Sequence, residues 1–148
     1  MSMSQTIKSE IEMIKYGKKI ATDLRGGDVI LLYGELGSGK TTLTKGIALG
    51  LGIENNIVSP TFTLMQVYDI KALKHESIKT LVHIDTYRLE DEKQLLEIGA
   101  QDYIGDPETV CVIEWAEKVE KLISDKKIIK IKIEHTDSGR EVMIKGLH

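Results

Sequence analysis

The chain has 148 residues, a formal net charge of −3 at pH 7 and a single cysteine. This length fits one compact domain, residues 1–148, and a single cysteine excludes an internal disulfide. A weakly acidic chain with no long apolar run and no secretory signal predicts a cytoplasmic protein that does not enter the membrane, binds no DNA and contacts RNA only indirectly.

The first third of the chain predicts two helices around one buried strand. Over residues 4–24, apolar side chains recur at helical spacing, with Gly17 interrupting the pattern either as a weak point or as a site of close packing. The continuous apolar block "VILLY", residues 29–33, predicts a strand that is buried on both faces of a sheet. A second helix is predicted over residues 40–49, and glycines close it.

The rest of the chain predicts more strands than helices. Two strands joined by a long hairpin loop are expected in "SPTFTLMQVYDI" and "TLVHID", followed by a helix over residues 90–104. "TVCVIEW" predicts a buried strand with Cys111 in the core, and a helix is expected over residues 116–123. Alternating "IIKIKIEH" and the segment "REVMIK" predict a C-terminal β-hairpin. The sequence therefore predicts a single α/β domain with a mixed, largely parallel sheet flanked by helices.

The loop between "VILLY" and the second helix matches the pattern G-x-x-x-x-G-K-[ST], which is typical of P-loop NTPases. Glycines let main-chain N–H groups converge on phosphate oxygens, and the positive end of the following helix favours the same anion. The lysine would bring a full charge to the phosphates, and the hydroxyl of Thr41 could bind Mg²⁺. An accidental glycine-rich turn is the alternative, but the strand–loop–helix context favours nucleotide binding. The predicted binding residues are Gly34, Gly37, Ser38, Gly39, Lys40, Thr41 and Thr42.

Two acids end predicted core strands, Asp85 after "TLVHI" and Glu114 after "TVCVI". If these strands are parallel, both carboxylates lie at the sheet edge where ligands bind. Asp85 would then hold Mg²⁺ directly or through water, and Glu114 would bind the metal or activate a water. With Lys40 they form the predicted catalytic set. The alternative is that each acid caps the segment that follows, and the division of roles between them stays open.

A third candidate is Thr61 in "SPTF", which follows the second helix. A threonine in a loop stiffened by Pro60 could sense the γ-phosphate or the metal as a switch. A loop hydroxyl that bonds its own backbone explains the residue equally well.

Taken in order and at these separations, "GELGSGKTTLTKG", "SPTFTL", "HIDTYRL" and "IEWAEK" resemble the bacterial TsaE (YjeE) family over most of the chain. The resemblance implies ATP binding, slow Mg²⁺-dependent hydrolysis to ADP, and a role in the threonylcarbamoyladenosine modification of tRNA. It also implies docking onto the TsaB–TsaD heterodimer, which transfers the threonylcarbamoyl group to adenosine 37 of tRNA.

The same resemblance assigns individual positions. Thr41 and Glu114 are similar to the family's magnesium-contacting residues and Asp85 to its Walker B acid. Arg140 resembles a C-terminal arginine near the nucleotide, although an exposed strand residue explains it nearly as well. The sequence departs from many relatives at Met13, where they carry a threonine near the nucleotide, and at Ala116, where they carry a proline.

Three other functions fit a phosphate loop. A small-molecule kinase usually clusters arginines over the transferred phosphate, whereas the three arginines of this chain are widely separated. A GTPase would carry an N/T-K-x-D motif, which does not occur in the sequence. A nucleotide-gated binding module with negligible hydrolysis is the third alternative.

Overall fold

The computed structural model describes residues 2–54, 56–60, 63–70, 77–91, 93–123 and 126–148. In chain order the strands are β1 (Ser2–Ile7), β2 (Val29–Tyr33), β3 (Met65–Asp69), β4 (Thr80–Asp85), β5 (Thr109–Glu114), β6 (Ile128–Thr136) and β7 (Gly139–Lys145). The α-helices are α1 (Glu10–Ala21), α2 (Lys40–Gly50) and α3 (Lys93–Glu97). Short 3₁₀ turns lie at Ala100–Asp102, Ala116–Lys118 and Glu120–Ile123.

All seven strands form one sheet in the order β1-β7-β6-β2-β5-β4-β3. The four neighbours β6, β2, β5 and β4 run parallel, while β1, β7 and β3 each pair antiparallel with the strand beside them. The prediction of a mixed α/β fold with a parallel centre and a C-terminal β-hairpin is confirmed. The parallel centre is covered on both faces, and accordingly β2 and residues 110–113 of β5 are continuous apolar runs.

The two faces of the sheet carry two separate hydrophobic clusters, because successive side chains of a strand point to opposite sides. On one face Ile30 and Leu32 pack with α1 and α2. On the other face Leu31 packs with α3 and the 3₁₀ turns, in a cluster that includes Cys111. Within the described ranges, no helix combines the length and apolar character that a bilayer crossing needs.

Helices α1 and α2 approach each other closely at Gly17 and Gly46. A Cβ atom at this position would lie 2.6 Å from the carbonyl oxygen of Leu43 and 2.8 Å from the Cα atom of Gly46. The reciprocal substitution at Gly46 would place a Cβ atom 2.3 Å from the carbonyl oxygen of Ile14. Gly17 is therefore a site of close helix packing, which was one of its two interpretations.

The predicted helix over residues 4–24 is wrong at its amino end. Residues 2–7 form β1, in which Ile7 pairs with Arg140 of β7, and the helix starts after Ser9, whose hydroxyl accepts a hydrogen bond from the N–H of Glu12 at 3.1 Å. The buried face of α1 consequently runs through Met13, and Ile11 is 68% exposed. Pairing with a strand from the other end of the chain outweighs the local apolar spacing.

Two other predicted helices are replaced by shorter turns. Residues 116–123 form two 3₁₀ turns, which are separated at Val119, where the backbone is not helical (φ −130°, ψ 10°). Over residues 90–104, helix α3 ends at Glu97, and Gly99 (φ 81°) leads into a 3₁₀ turn. The strand expected from Ser59 onward begins only at Met65, although its antiparallel pairing with β4 is confirmed.

Candidate functional site

The phosphate loop connects the end of β2 to the start of α2. Gly37 (φ 78°) and Gly39 (φ 111°) adopt left-handed conformations that disfavour residues with a Cβ atom. Gly39 is the N-cap of α2, and no side chain caps the helix there. The first main-chain N–H groups of an eleven-residue helix are thus available to an anion.

Lys40 folds back over this loop. Its Nζ donates hydrogen bonds to the carbonyl oxygens of Gly34 and Glu35, the latter at 3.2 Å, and lies 4.0 Å from the centre of the Trp115 ring. Burial lowers the pKa of Lys40, and the negative charges of Glu114 and Asp85 partly counter this shift. The direct partners of this cation among the described residues are carbonyl oxygens and an aromatic ring, so it is suited to accept a stronger, anionic partner.

Asp85 and Glu114 are register partners at the carboxyl ends of the parallel strands β4 and β5. Both are 3% exposed, and both line a cavity of about 420 Å³, here called the Glu114 cavity. Lys40, Thr41 and Thr42 line the same cavity. The sheet thus brings the two acids to the side of the phosphate loop.

The carboxylate of Asp85 is held by the loops around it. Its Oδ1 accepts a hydrogen bond from the main-chain N–H of Tyr87 at 2.9 Å, and its Oδ2 accepts one from Ser59 Oγ, also at 2.9 Å. The first bond caps the segment that follows β4, which is the alternative role that sequence analysis gave to Asp85. The second ties the loop after α2 to β4, a role of Ser59 that sequence analysis missed.

Glu114 is held by two partners, and sequence analysis assigned neither of them. Its main-chain carbonyl accepts hydrogen bonds from the Oγ1 and N–H of Thr86, at 2.9 Å and 3.1 Å. Its carboxylate oxygen Oε2 contacts Nε2 of the buried His83. The period of two in "TLVHID" puts His83 and Asp85 on one face of β4, so this signal was present in the sequence.

Trp115 and Tyr87 form an aromatic pair at the mouth of the Glu114 cavity. Their ring centroids lie 5.0 Å apart, at an interplanar angle of 45°. Tyr87 is 49% exposed, and Leu36 of the phosphate loop, which lines the same cavity, is 77% exposed. The cavity therefore opens through a partly apolar rim.

A second cavity, of about 380 Å³, lies on the other side of the phosphate loop and is here called the Met13 cavity. Arg140 lines it and donates hydrogen bonds from Nε to the carbonyl of Ser38 at 3.2 Å and from Nη2 to that of Gly37 at 3.4 Å. Arg140 is therefore joined to the loop and is not a freely exposed strand residue. Met13, one of the two departures from the family pattern noted in the sequence, lines this cavity with its side chain.

The structure brings the predicted site residues other than Gly34 to the two cavities. Gly37, Ser38, Gly39 and Thr42 line both of them. Gly34 contributes its carbonyl oxygen to Lys40, while Thr61 lies outside the described residues.

The donor set of the Glu114 cavity fits Mg²⁺, which binds oxygen and is usually held by one or two carboxylates together with substrate phosphates. The hydroxyl of Thr41 and the carboxylates of Asp85 and Glu114 are all oxygen donors. In the described part of the chain, no three His, Cys, Asp or Glu side chains are grouped to hold a metal ion. These residues therefore fit a Mg²⁺ ion that the phosphates of a nucleotide also bind.

Comparison with known proteins gives consistent matches over most of the chain. The model of the family described as "Threonylcarbamoyl adenosine biosynthesis protein TsaE" matches residues 7–142. The chain is 36% identical over 146 residues to the tRNA threonylcarbamoyladenosine biosynthesis protein TsaE of Haemophilus influenzae, covering 95% of this chain and 87% of that protein. It is 38% identical over 138 residues to the protein of the same name from Treponema pallidum, covering 93% and 96%.

A solved structure agrees with these matches. The crystal structure of Bacillus subtilis YdiB superposes with a TM-score of 0.77 at 29% sequence identity, covering 100% of this chain and 87% of that one. The phosphate loop, the two strand-end acids and the family match lie within one fold, and the chain belongs to the TsaE family of threonylcarbamoyl adenosine biosynthesis proteins.

Proposed function

We propose that this chain is a Mg²⁺-dependent ATPase that supports the threonylcarbamoyladenosine modification of tRNA. The observation that carries the proposal is the single cavity lined by Lys40, Thr41, Asp85 and Glu114, beside the amino end of α2. A cation, a hydroxyl, two carboxylates and open helix N–H groups are the groups that phosphoryl-transfer sites combine.

ATP would occupy both cavities. Its phosphates would lie in the Glu114 cavity against the N–H groups of the loop, and Lys40 would exchange its carbonyl partners for phosphate oxygens. Its base and ribose would lie in the Met13 cavity, where Arg140 already contacts the loop. Thr42, which lines both cavities, would stand between the two parts of the nucleotide.

Hydrolysis would use the acid at the end of β5. Glu114 would orient a water and accept its proton while the water oxygen bonds to the γ-phosphorus and ADP leaves. When bound, Mg²⁺ would neutralise charge on the phosphates, and Thr41 and Asp85 are the residues that would hold it while Glu114 serves as the base. The charge of Lys40 would stabilise the same phosphates from the other side.

Turnover by the isolated chain should be slow. Among the described residues that line the Glu114 cavity there is no arginine, and Arg140 is bonded to loop carbonyls on the opposite side. An arginine finger supplies about 10³- to 10⁵-fold in related enzymes. This observation also favours the second candidate, a nucleotide-gated binding module with negligible hydrolysis.

The partners proposed from the family are TsaD and TsaB, with tRNA reached only through them. The apolar rim of the Glu114 cavity supports a protein partner, because Leu36 and Tyr87 are exposed there and Val58 is 53% exposed in the loop after α2. A net charge of −3 supports indirect contact with tRNA. Co-purification with the cognate TsaB and TsaD, with and without ATP, tests this part; no complex in either condition would contradict it.

The nucleotide assignment is tested by calorimetric titration of ATP and GTP in the presence of Mg²⁺, with ADP formation measured in parallel. Lys40→Ala should abolish ATP binding, whereas Lys45→Ala, on the same helix but outside both cavities, should bind like the wild type. Unchanged affinity in Lys40→Ala would refute the phosphate-loop assignment. ATP binding with no ADP formed, even with TsaB and TsaD present, would favour the binding module.

A further inference from the structure

A buried histidine contacts the carboxylate of Glu114, which orients the attacking water in the proposed hydrolysis. His83 of β4 is fully buried, and its Nε2 contacts Oε2 of Glu114 on the neighbouring strand β5. Glu114 itself is 3% exposed and lines the Glu114 cavity. One oxygen of this carboxylate is therefore engaged from within the sheet while the side chain borders the cavity.

His83 restricts the orientation of the Glu114 carboxylate, which the main-chain hydrogen bonds do not fix. Thr86 fixes the backbone of Glu114 through two hydrogen bonds to its carbonyl oxygen. A glutamate side chain still has three rotatable bonds, and ordering them costs conformational entropy. Within the part of the chain that the structure describes, His83 is the only residue hydrogen-bonded to the carboxylate of Glu114. The orientation of that carboxylate thus depends on the imidazole.

The other ring nitrogen indicates which tautomer is present. Nδ1 of His83 is buried and has no hydrogen-bond partner among the described residues. A proton on Nε2 gives the carboxylate a donor and leaves only a lone pair at Nδ1, whereas a proton on Nδ1 would be an unpaired buried donor. The geometry therefore favours an Nε2–H that donates to Glu114.

We propose that His83 is a positioning residue that holds Oε2 of Glu114 and turns Oε1 toward the attacking water. This inference rests on the proposed ATPase function. His83 lies behind the carboxylate, so it touches neither nucleotide nor water, and its removal should affect turnover far more than binding. Removing a partner that orients a reacting or metal-binding side chain in this way typically lowers activity or metal affinity about 10- to 100-fold.

The experiment compares His83→Leu with His83→Gln in single-turnover ADP formation and in ATP affinity. Leucine fills the space without a donor, while the side-chain amide of glutamine can place an N–H near the position of Nε2. We expect His83→Leu to lower the turnover rate about 10- to 100-fold with ATP affinity within about threefold of the wild type, and His83→Gln to restore most of the rate.

His148→Gln is the matched control. His148 forms the other described histidine–carboxylate pair, with Asp28 at 3.1 Å, and Asp28 precedes β2 at the opposite edge of the sheet. Its turnover should equal that of the wild type. Wild-type turnover in His83→Leu, or equal loss in His83→Leu and His83→Gln, would overturn the positioning role while leaving the ATPase intact. Absence of turnover in the wild type would overturn both proposals.

A spectroscopic measurement on the wild type keeps the inference testable if the variants fold poorly. The ¹⁵N chemical shifts of the imidazole rings report the tautomer directly. We expect the Nε2–H form at His83, with a resonance that moves in Glu114→Gln while those of the exposed His135 and His148 stay in place. An Nδ1–H tautomer, or a resonance indifferent to Glu114→Gln, would overturn the proposal.

Discussion

Glu114 is the single residue on which the proposed chemistry depends most. It lies at the end of β5, is nearly buried, and borders the cavity that Lys40 also lines. Glu114→Gln removes the proton acceptor but keeps the shape of the side chain. We expect ATP affinity within a few-fold of the wild type and a turnover rate lower by about 10²-fold or more, measured as ADP formed in a single turnover.

Glu117→Gln is the control for this prediction. Glu117 is exposed, lies three residues further along and outside the Glu114 cavity, and yet adds to the negative potential at Lys40. Its turnover should match that of the wild type. Full activity in Glu114→Gln would return Glu114 to a purely structural role at the end of its strand.

Cys111 gives a prediction about pH that does not involve the site. Burial, and secondarily the charge of Asp106, raises the pKa of this thiol to about 12, against an ordinary value of 9.0. Between these values the unfolded chain has lost a proton that the folded chain keeps, so the free energy of unfolding falls as pH rises. The loss amounts to at most about 1.4 kcal/mol per pH unit.

Cys111→Ala should remove this component. Urea unfolding at pH 8 and pH 10 should show a smaller loss of stability on alkalinisation in the variant than in the wild type. Groups common to both proteins cancel in the difference between them. Parallel losses in the two proteins would show that the thiol titrates normally in the folded state.

Among elements, the crossing of α1 and α2 is set by glycines. In an isolated helix Gly→Ala stabilises by about 1 kcal/mol, but a Cβ atom at Gly17 would lie 2.6 Å from a backbone oxygen of α2. We expect Gly17→Ala to destabilise the protein by about 1–3 kcal/mol in urea unfolding, because overpacking outweighs propensity. ATP affinity should fall too, since displacing α2 moves the loop that begins it.

Lys18→Ala, at an exposed side chain of the same helix, separates the effect of helix propensity from that of overpacking. It improves helix propensity only slightly and adds no atom to the interface, so its stability should stay within about 0.5 kcal/mol of the wild type. Equal or greater stability in Gly17→Ala would mean that the helices can move apart at little cost.

The elements that sequence analysis predicted correctly are those with local signals. The apolar run of β2, the loop pattern and the alternation of β6 need no information from elsewhere in the chain. Strand β1 was missed because its residues become a strand only by pairing with β7, at the other end of the chain. The helix predicted over residues 116–123 was wrong because nothing in the sequence marks the non-helical backbone of Val119, which divides the segment into two 3₁₀ turns.

The site could be predicted where the pattern of apolar runs in the sequence indicates which strands are parallel. Asp85 and Glu114 could be placed on one edge of the sheet, since both end apolar runs that resemble parallel strands. The contact of Arg140 with Gly37 and Ser38 could not, because it depends on the hairpin turn meeting the phosphate loop. His83 could have been placed on the same face of β4 as Asp85, because the two residues lie two positions apart. Its contact with Glu114 could not be predicted, because nothing in an apolar strand indicates that its histidine contacts a residue of the neighbouring strand.

For the whole molecule, the position of the cavities predicts a strong response of stability to nucleotide. Together the two cavities draw residues from α1, α2, the ends of β4 and β5 and the β6–β7 hairpin, so ATP should bind only the folded state. At an ATP concentration about 100 times the Kd, with Mg²⁺ present, the gain is about 2.7 kcal/mol, or a rise in Tm of about 5–10 °C. Thermal denaturation checks this value.

Lys40→Ala should show no rise in Tm with ATP, and GTP should give the wild type a smaller rise than ATP. An equal shift in Lys40→Ala would place the nucleotide somewhere other than the phosphate loop. A shift of the same size with GTP would contradict the choice of ATP as the substrate.

The order of strands in the sheet has a consequence for protein synthesis. Strand β2 lies between β5 and β6, and the Met13 cavity is closed by Gly139 and Arg140. A nascent chain on the ribosome exposes its phosphate loop long before either flanking strand or that arginine has emerged. We therefore expect the proposed nucleotide capture to await translation of Gly139 and Arg140, so that a chain terminated before them carries the complete motif but does not retain ATP.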